Sequence, residues 1–311
     1  MNAAIHRHLL GDGSAATGFS VMAQKRMRQY DWHTPPSATG APARLKVATC
    51  QLPMSHDVEH NVLGICALIE QAARAGADVA HFPECAVSGY GTAIWPSWDG
   101  FDWKALERGE AQVREAARAL GIWVVSGSVH RDPPALPTNC LHVFNRRGQH
   151  VARYDKRRCS INDMRAFAPG NTPSVVEIEG VRCGLLICLD WAFPELWQEH
   201  AAHGVELILH SAVSDDHRRD RNEAHTISGL MQGYSFLHQF AISVSNSCRP
   251  RQGFSSFWVE RSGHMGGRCV RDETGFVLNA LADDPDQDRF FEAVRQFRAA
   301  ASDGSLYASR R

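Results

Sequence analysis

The sequence predicts an α/β fold in which two β-sheets pack together with helices on their outer faces. Strand-like and helix-like segments alternate as strand–helix–strand–helix–strand, once before residue 130 and again after residue 181. Hairpin-like strands at residues 139–145 and 151–154 lie between the two halves, joined by Arg146-Arg147-Gly148. Strands that alternate with helices typically form sheets covered by those helices. We therefore expect one domain built from two related halves.

In the first half, residues 45–50 alternate between polar and apolar side chains, as in a half-buried strand. Apolar residues at helical spacing then predict helices over residues 58–73 and 103–120, each followed by a short apolar run typical of a strand. Those two runs are residues 78–82 and 122–129.

The second half repeats this order. Strand-like runs occur at residues 182–187, 205–209 and 239–245, and helical patterns at residues 194–203 and 220–237 lie between them. No strand-like segment follows Leu281. The repeated order predicts a second sheet covered by its own pair of helices.

The chain ends differ from this domain, which we place at residues 44–285. Residues 1–43 are rich in Gly, Ala, Ser, Pro and charge, and predict either a flexible extension or an arm that docks on a partner subunit. Residues 286–311 form a tail with a helical pattern at 288–298. The loop at residues 89–100, with Trp95 and Trp98, is expected to overhang the strand ends.

Composition narrows the class of protein. The 311 residues carry a net charge of −1 with a pI near 7.0, which gives no indication of a nucleic-acid or anionic-membrane partner. Nine cysteines without a C-x-x-C pair favour a reducing cytoplasm over a disulfide framework. No H-E-x-x-H or Cys/His finger spacing occurs, so we predict neither a metal nor another cofactor. Polar residues interrupt the uncharged stretch 224–248, so we predict no membrane partner.

Cys188 is the candidate nucleophile. It ends the apolar run Leu185-Leu186-Ile187, and Pro194 and Glu195 soon afterwards suit the first turn of a helix. A cysteine at such a corner projects into a cleft, where a nearby helix N-terminus can stabilise a thiolate or an oxyanion. The alternative is a cysteine that only packs in the core.

Two further reactive groups end strand-like runs upstream. Glu84 follows His81-Phe82-Pro83, and Lys156 follows Tyr154-Asp155. A carboxylate can accept the thiol proton and return it to a departing amine, and an ammonium can stabilise an oxyanion. The alternative is a structural ion pair between Glu84 and Lys156.

These motifs, in this order, resemble those of the nitrilase superfamily of carbon–nitrogen hydrolases. The resemblance covers residues 44–281 and includes the separations of 72 residues between Glu84 and Lys156 and 32 between Lys156 and Cys188. The fragments that carry it, besides those above, are Val47-Ala48-x-x-Gln51, Ser88-Gly89-Tyr90, Cys188-x-Asp190-x-x-Phe193-Pro194-Glu195, Phe167-x-Pro169-Gly170, Gly204-Val205-Glu206-Leu207-Ile208, and Gly266-Gly267 before Thr274-Gly275.

The resemblance implies a four-layer α-β-β-α sandwich and a Glu-Lys-Cys triad of Glu84, Lys156 and Cys188, with the Leu189 backbone N–H beside Lys156 as an oxyanion donor. A free cysteine is mostly thiol at neutral pH, because its pKa is about 8.5, so this nucleophile needs a base. Members of the family often have a second glutamate, and Asp163 stands at that position here. Asp163 is either a supporting carboxylate near Lys156 or an ordinary surface residue.

The function implied is cysteine-dependent hydrolysis of a small carboxamide or N-carbamoyl compound through a thioester. The alternatives are a nitrilase acting on a small nitrile, an acyltransferase, and an inactive family member with a binding role. Tyr90, Trp191 and Phe193 are substrate-binding candidates.

The partners expected are therefore a small amide and water, together with further copies of the chain. Related proteins dimerise through helices equivalent to residues 194–203 and 220–237, in which Trp197 and Tyr234 look exposed. We therefore predict a homodimer or a higher homo-oligomer.

Overall fold

The structure is a computed structural model that describes residues 42–90, 97–214, 223–249, 252–283, 291–294 and 296–297. The predicted N-terminal extension up to residue 41 and Trp95 of the predicted overhanging loop lie outside these residues. The chain divides into Ala43–Ala282 and a second unit formed by its two ends. Residues 291–294 and 296–297 of the C-terminal tail are helical. All elements named below belong to Ala43–Ala282.

The first sheet has six strands in the order β12-β1-β2-β3-β4-β5. β1, β2 and β3 are parallel, and β4 and β5 continue the sheet as an antiparallel hairpin. The six strands are β1 (Ala43–Gln51), β2 (Val79–His81), β3 (Trp123–His130), β4 (Thr138–Phe144), β5 (His150–Asp155) and β12 (Gly275–Ala282). β12 runs antiparallel along β1 and contains Leu281, and the residues described after β12 add no further strand.

The second sheet also has six strands, in the order β11-β10-β9-β8-β7-β6. Its centre is the parallel trio β7, β8 and β9. The strands are β6 (Val175–Ile178), β7 (Val181–Ile187), β8 (Leu207–Ala212), β9 (Ala241–Asn246), β10 (Phe257–Val259) and β11 (Met265–Arg268). No local pattern predicted β6, β10, β11 or β12, because three of them are only three or four residues long and the fourth begins with a glycine.

Four helices cover the sheets: α1 (Val58–Arg74), α2 (Trp103–Leu120), α3 (Pro194–Ala202) and α4 (Glu223–His238). Asp57 and Asp102 cap α1 and α2, because each carboxylate accepts a backbone N–H three residues on. Alternate residues of β1 face opposite sides. Val47 packs in the core between the sheets, and Ala48 packs in a second core under α1 and α2. The predicted layered α/β sandwich is confirmed.

A hydrogen-bonded polar chain crosses between the sheets. Thr49 Oγ1 and His81 Nδ1 both bond Ser243 Oγ, at 2.7 and 2.8 Å, and His81 Nε2 bonds Ser211 Oγ at 2.9 Å. Ser211 in turn donates to the Phe82 carbonyl. Burial lowers the pKa of His81 to about 3, so the ring is neutral. These hydrogen bonds fix the end of β2 against the second sheet, three residues before Glu84.

Trp197 and Tyr234 are buried, so the prediction that they are exposed is wrong. Their rings stack with centroids 4.3 Å apart and an interplanar angle of 6°, and both belong to the core of the second sheet. They join α3 to α4 within one chain and cannot support the predicted subunit interface. Among the helices described, none is long and apolar enough to cross a membrane.

Candidate active site

The three residues predicted to react each follow a strand, and the structure brings them together. Glu84 lies three residues after β2, and Lys156 and Cys188 directly follow β5 and β7. Lys156 Nζ lies 2.8 Å from Glu84 Oε1, and both side chains are at most 1% exposed. The cation and the carboxylate therefore form a buried ion pair at the meeting point of the two sheets.

Val213 connects the carboxylate to the thiol through its backbone. Its N–H donates to Glu84 Oε2 at 2.9 Å, and its carbonyl accepts a contact from Cys188 Sγ at 3.6 Å. Val213 directly follows β8, which lies beside β7 in the second sheet. The backbone of a single residue thus bridges the candidate base and the candidate nucleophile.

Cys188 occupies a strained corner. Its φ of 45° lies in the left-handed region that a side chain disfavours, and it begins a 3₁₀ turn, Cys188–Ala192. His210 Nε2 bonds the Cys188 carbonyl at 3.0 Å and holds the corner in place. Burial raises the pKa of Cys188, and the nearby Glu84 raises it further, so the resting group is a thiol that needs a base.

Asp190 ties this corner to the segment that carries Lys156. Its Oδ2 accepts the Ile187 N–H at 2.9 Å and the Tyr154 hydroxyl at 2.7 Å, and its Oδ1 accepts the Arg158 N–H at 3.0 Å. Because Tyr154 and Arg158 flank Lys156 in the sequence, Asp190 couples the position of the lysine to that of Cys188.

Asp163 is fully buried against Lys156, so the alternative of a surface residue is wrong. Its Oδ2 lies 2.9 Å from Lys156 Nζ and accepts the Ser160 N–H at 2.9 Å, while its Oδ1 accepts the Tyr90 hydroxyl. The short 3₁₀ turn Asp163–Arg165 brings the carboxylate inward, which compensates for a side chain one methylene shorter than glutamate.

The charges in this cluster reinforce one another. Burial works to lower the pKa of Lys156, but the carboxylates around it hold that pKa well above its usual value. Burial works to raise the pKa of Asp163, and Lys156 and the hydroxyl of Tyr90 lower it overall. Burial raises the pKa of Glu84, and Lys156 opposes the rise. The ammonium is therefore a permanent charge, held between two carboxylates.

The remaining predicted residues lie around this cluster. Leu189 is the second residue of the turn at Cys188, among the first N–H groups of a helix, which have no partner within it. The Tyr90 hydroxyl donates its hydrogen bond to Asp163, and the Tyr90 ring centroid lies 6.0 Å from Lys156 Nζ. Trp191 and Phe193 are partly buried, and Arg158 stacks over the Phe193 ring at 5.0 Å.

Three residues that contact this cluster were missed by the sequence analysis. Asn139 Nδ2 donates to Glu84 Oε1 at 2.7 Å, and Val213 and His210 make the contacts given above. Asn139 begins a predicted strand, where an asparagine looks like an ordinary turn residue. Val213 acts through backbone atoms that every residue has. His210 directly follows the predicted strand 205–209 and belongs to none of the motifs.

The described part of the chain contains no group of three or more His, Cys, Asp or Glu side chains that could hold a metal ion.

The chain belongs to the carbon-nitrogen hydrolase family, whose family model matches residues 46–258. Its curated relatives include the omega-amidase NIT2 of Mus musculus, 27% identical over 176 residues, and that of Homo sapiens, 28% identical over 174 residues. Each match covers 53% of this chain and 62% of the relative, so the chain spans less than two thirds of the length of these relatives.

Solved structures share the fold. An amidase from Nesterenkonia sp. has a TM-score of 0.68 at 24% identity, covering 84% of this chain and all of that one. A variant of the Nesterenkonia sp. AN1 amidase has a TM-score of 0.69 at 24% identity, and the match covers 82% of this chain and 98% of that one. That structure shows covalent addition of the acetamide moiety of fluoroacetamide at its active site cysteine. The likeness confirms the predicted nitrilase-type sandwich.

Proposed function

We propose that this protein hydrolyses the C–N bond of a small carboxamide or N-carbamoyl compound through a thioester on Cys188. One observation carries the proposal: Glu84 pairs with Lys156 at 2.8 Å, and the Val213 backbone joins the same carboxylate to the Cys188 thiol. A buried base that contacts a cation, and is linked through the Val213 backbone to a cysteine thiol, suits acyl transfer better than it suits packing.

In the first half of the reaction, Cys188 Sγ attacks the amide carbon as its proton passes to Glu84. The carbonyl oxygen becomes an oxyanion, which the Lys156 ammonium and the Leu189 N–H stabilise. Collapse of this intermediate breaks the C–N bond, and Glu84 returns its proton to the departing amine or ammonia. The products of this half are a thioester on Cys188 and the free amine.

Water completes the cycle in the same site. Glu84 takes a proton from water as the oxygen attacks the thioester carbon, and a second oxyanion forms beside Lys156. The C–S bond then breaks, the carboxylic or carbamic acid leaves, and the thiolate regains the proton from Glu84. Asp163 keeps Lys156 charged and in place through both halves.

The relatives support an amide as the substrate class. Those matched in sequence are named omega-amidases, and those matched in structure are amidases. A nitrile remains the alternative substrate on the same residues. The buried contact between Asp163 and Lys156 supports an active enzyme over an inactive family member, because the carboxylate lies where it can support the lysine.

A panel of small amides, N-carbamoyl amino acids and nitriles tests the proposal. The purified protein is expected to release ammonia or amine from at least one amide or carbamoyl compound, measured by a coupled ammonia assay and by mass spectrometry of the acid product. Turnover of nitriles alone would favour the alternative, and no turnover across the panel would contradict the proposed function.

Replacing Asp163 by asparagine should reduce kcat by at least about tenfold, a loss of about 1.4 kcal/mol in transition-state stabilisation. The amide keeps the shape but removes the negative charge that holds Lys156. Asp163→Glu, which keeps the charge, should retain more activity. Steady-state kinetics of both variants decide, with Asp99→Asn, an exposed aspartate that bonds Ser97, as the control. Equal rates in Asp163→Asn and the wild type would show that Glu84, Lys156 and Cys188 do not need the charge of Asp163.

The homo-oligomer and the cytoplasmic location stay predictions. If α3 and α4 form an interface, they do so through side chains other than the buried Trp197 and Tyr234. Sedimentation at micromolar protein concentration tests the oligomer, and a strict monomer would contradict it.

A further inference from the structure

Asn139 holds both members of the buried ion pair. It is the second residue of β4 and is fully buried. Its side-chain Nδ2 donates to Glu84 Oε1 at 2.7 Å, and its backbone carbonyl accepts the Lys156 N–H at 2.8 Å. The carboxylate fixes which end of the amide faces it, because only the nitrogen can donate.

The other end of this amide has no partner. Asn139 Oδ1 makes no hydrogen bond with any residue that the structure describes, although the atom is buried. Another buried asparagine, Asn61, uses both ends: its Oδ1 accepts the Ser55 N–H, and its Nδ2 donates to the carbonyls of Ser55 and Val87. An unpaired buried oxygen costs free energy, so Asn139 is poorly suited to a purely structural role.

The donors to Glu84 are distributed unequally between its two oxygens. Oε1 accepts from Lys156 Nζ and from Asn139 Nδ2, which occupies both lone-pair directions. Oε2 accepts only the Val213 N–H among the described residues, so one lone pair remains for a proton. Oε2 is also the oxygen joined through Val213 to Cys188.

We propose that Asn139 is a positioning residue for the base: its amide saturates Oε1 of Glu84 and so directs the Cys188 proton to Oε2. The inference rests on the proposed function, in which Glu84 is the base. In this step the S–H bond of Cys188 breaks and an O–H bond forms at Oε2. The sulfur electron pair forms the bond to the amide carbon, whose C=O π bond breaks as its electron pair moves to the oxygen. Without the amide, Oε1 gains a free lone pair and the carboxylate can turn.

Loss of the amide also changes the acidity of Glu84. Burial raises the pKa of this carboxyl, and the Asn139 hydrogen bond is one of the contacts that lower it again. Removing a donor to the ionised form therefore raises the pKa. The other titratable groups found to interact with Glu84 among the described residues are Lys156, Asp163, Cys85, Tyr90, Cys159 and Cys188. All of them stay in place when only Asn139 is changed.

The test compares Asn139→Leu with the wild type in two pH profiles. One is the rate of Cys188 alkylation by iodoacetamide, which needs no substrate, and the other is kcat/KM on an amide that the wild type hydrolyses. We expect the acidic limb of both profiles to move up by about half to one pH unit. We expect kcat to fall at least about tenfold with little change in KM. The thermal midpoint should stay within about 3 °C of wild type. The variant loses the hydrogen bond to Glu84, but it also loses the unpaired buried oxygen, and the two effects on stability oppose each other.

Asn61→Leu is the matched control, because it also removes a buried asparagine amide but not one that touches Glu84. It should lower the thermal midpoint and leave the alkylation profile where it is. Asn139→Ala removes the same amide without added bulk, and it should give the same shift as Asn139→Leu if the latter does not fold.

An unchanged alkylation profile in the folded Asn139 variant would overturn the inference, whatever the protein does with amides. Failure of the wild type to hydrolyse any amide would overturn the proposed function instead, and the alkylation profile would still decide the role of Asn139.

Discussion

Cys188→Ala should abolish amide hydrolysis and leave the fold intact. No other group in the cluster can form the acyl-enzyme, so the loss should reach the background of the uncatalysed reaction, a fall of at least about 10⁴-fold. The side chain is only partly buried at the edge of the core, and among the described residues its thiol makes one weak hydrogen bond, to the Val213 carbonyl. Alanine removes that contact and little else, so stability should change by less than about 1 kcal/mol.

Hydrolysis rates and urea unfolding of the purified variant check both parts of this expectation. Cys159→Ala is the matched control, since Cys159 is also half-buried and its thiol lies near Lys156 and Asp163. It should keep most of the activity. Wild-type turnover by Cys188→Ala would remove the nucleophile from the mechanism.

Gly127→Ala should destabilise the protein by about 3 kcal/mol or more and displace the candidate base. Gly127 lies in β3, directly beneath the segment that carries Glu84. A Cβ atom there would lie 2.1 Å from the Pro83 carbonyl oxygen, 2.4 Å from the Cys85 nitrogen and 2.7 Å from the Glu84 carbonyl carbon. All three are backbone atoms, so no side-chain rotation can relieve the overlap and the segment must move.

Urea unfolding and kcat/KM measure the two effects of Gly127→Ala separately. Gly229→Ala is a control of opposite sign. Gly229 lies inside α4, and an added Cβ would meet no described atom within 4 Å beyond its own stretch of helix, so alanine there should stabilise by about 0.5–1 kcal/mol. A Gly127→Ala protein as stable and as active as the wild type would show that the segment is not held by β3.

The fold could be predicted largely from periodicity, because the central strands and the helices have long, regular patterns. The parallel trio of each sheet and helices α1 and α2 lie where the alternation placed them. Three outer strands of the second sheet have only three or four residues each, too few for a pattern to stand out: the edge strands β6 and β11, and β10 beside β11. Their positions follow from pairing with neighbours, which a local pattern does not contain.

The candidate site could be predicted where a side chain carries the chemistry. Glu84, Lys156 and Cys188 were found because each ends a strand within a motif. The sequence left open whether Asp163 is buried or on the surface. Its burial depends on the direction of the turn Asp163–Arg165, which a local sequence pattern does not determine.

The misjudged residues share a physical reason. Asn139 lies in β4 and contacts Glu84, which follows β2, so the two residues are far apart in the sequence. Val213 contributes only backbone atoms, so neither contact has a local sequence signal. Trp197 and Tyr234 looked exposed because the apolar stripes of α3 and α4 are weak and do not reveal which face of each helix is covered. Their stacking depends on how α3 packs on α4, which is a tertiary property.

The central claim is that the acyl group passes through Cys188, and acid-quenched mass spectrometry tests it most directly. The wild-type protein is mixed with an amide that it hydrolyses, quenched during the first turnovers, digested and mapped. The account predicts the mass of the acyl group on the peptide that contains Cys188, absent from Cys188→Ala and removed by hydroxylamine as expected of a thioester. An acyl group on another residue, or amide turnover with no acylated peptide at any quench time, would contradict it.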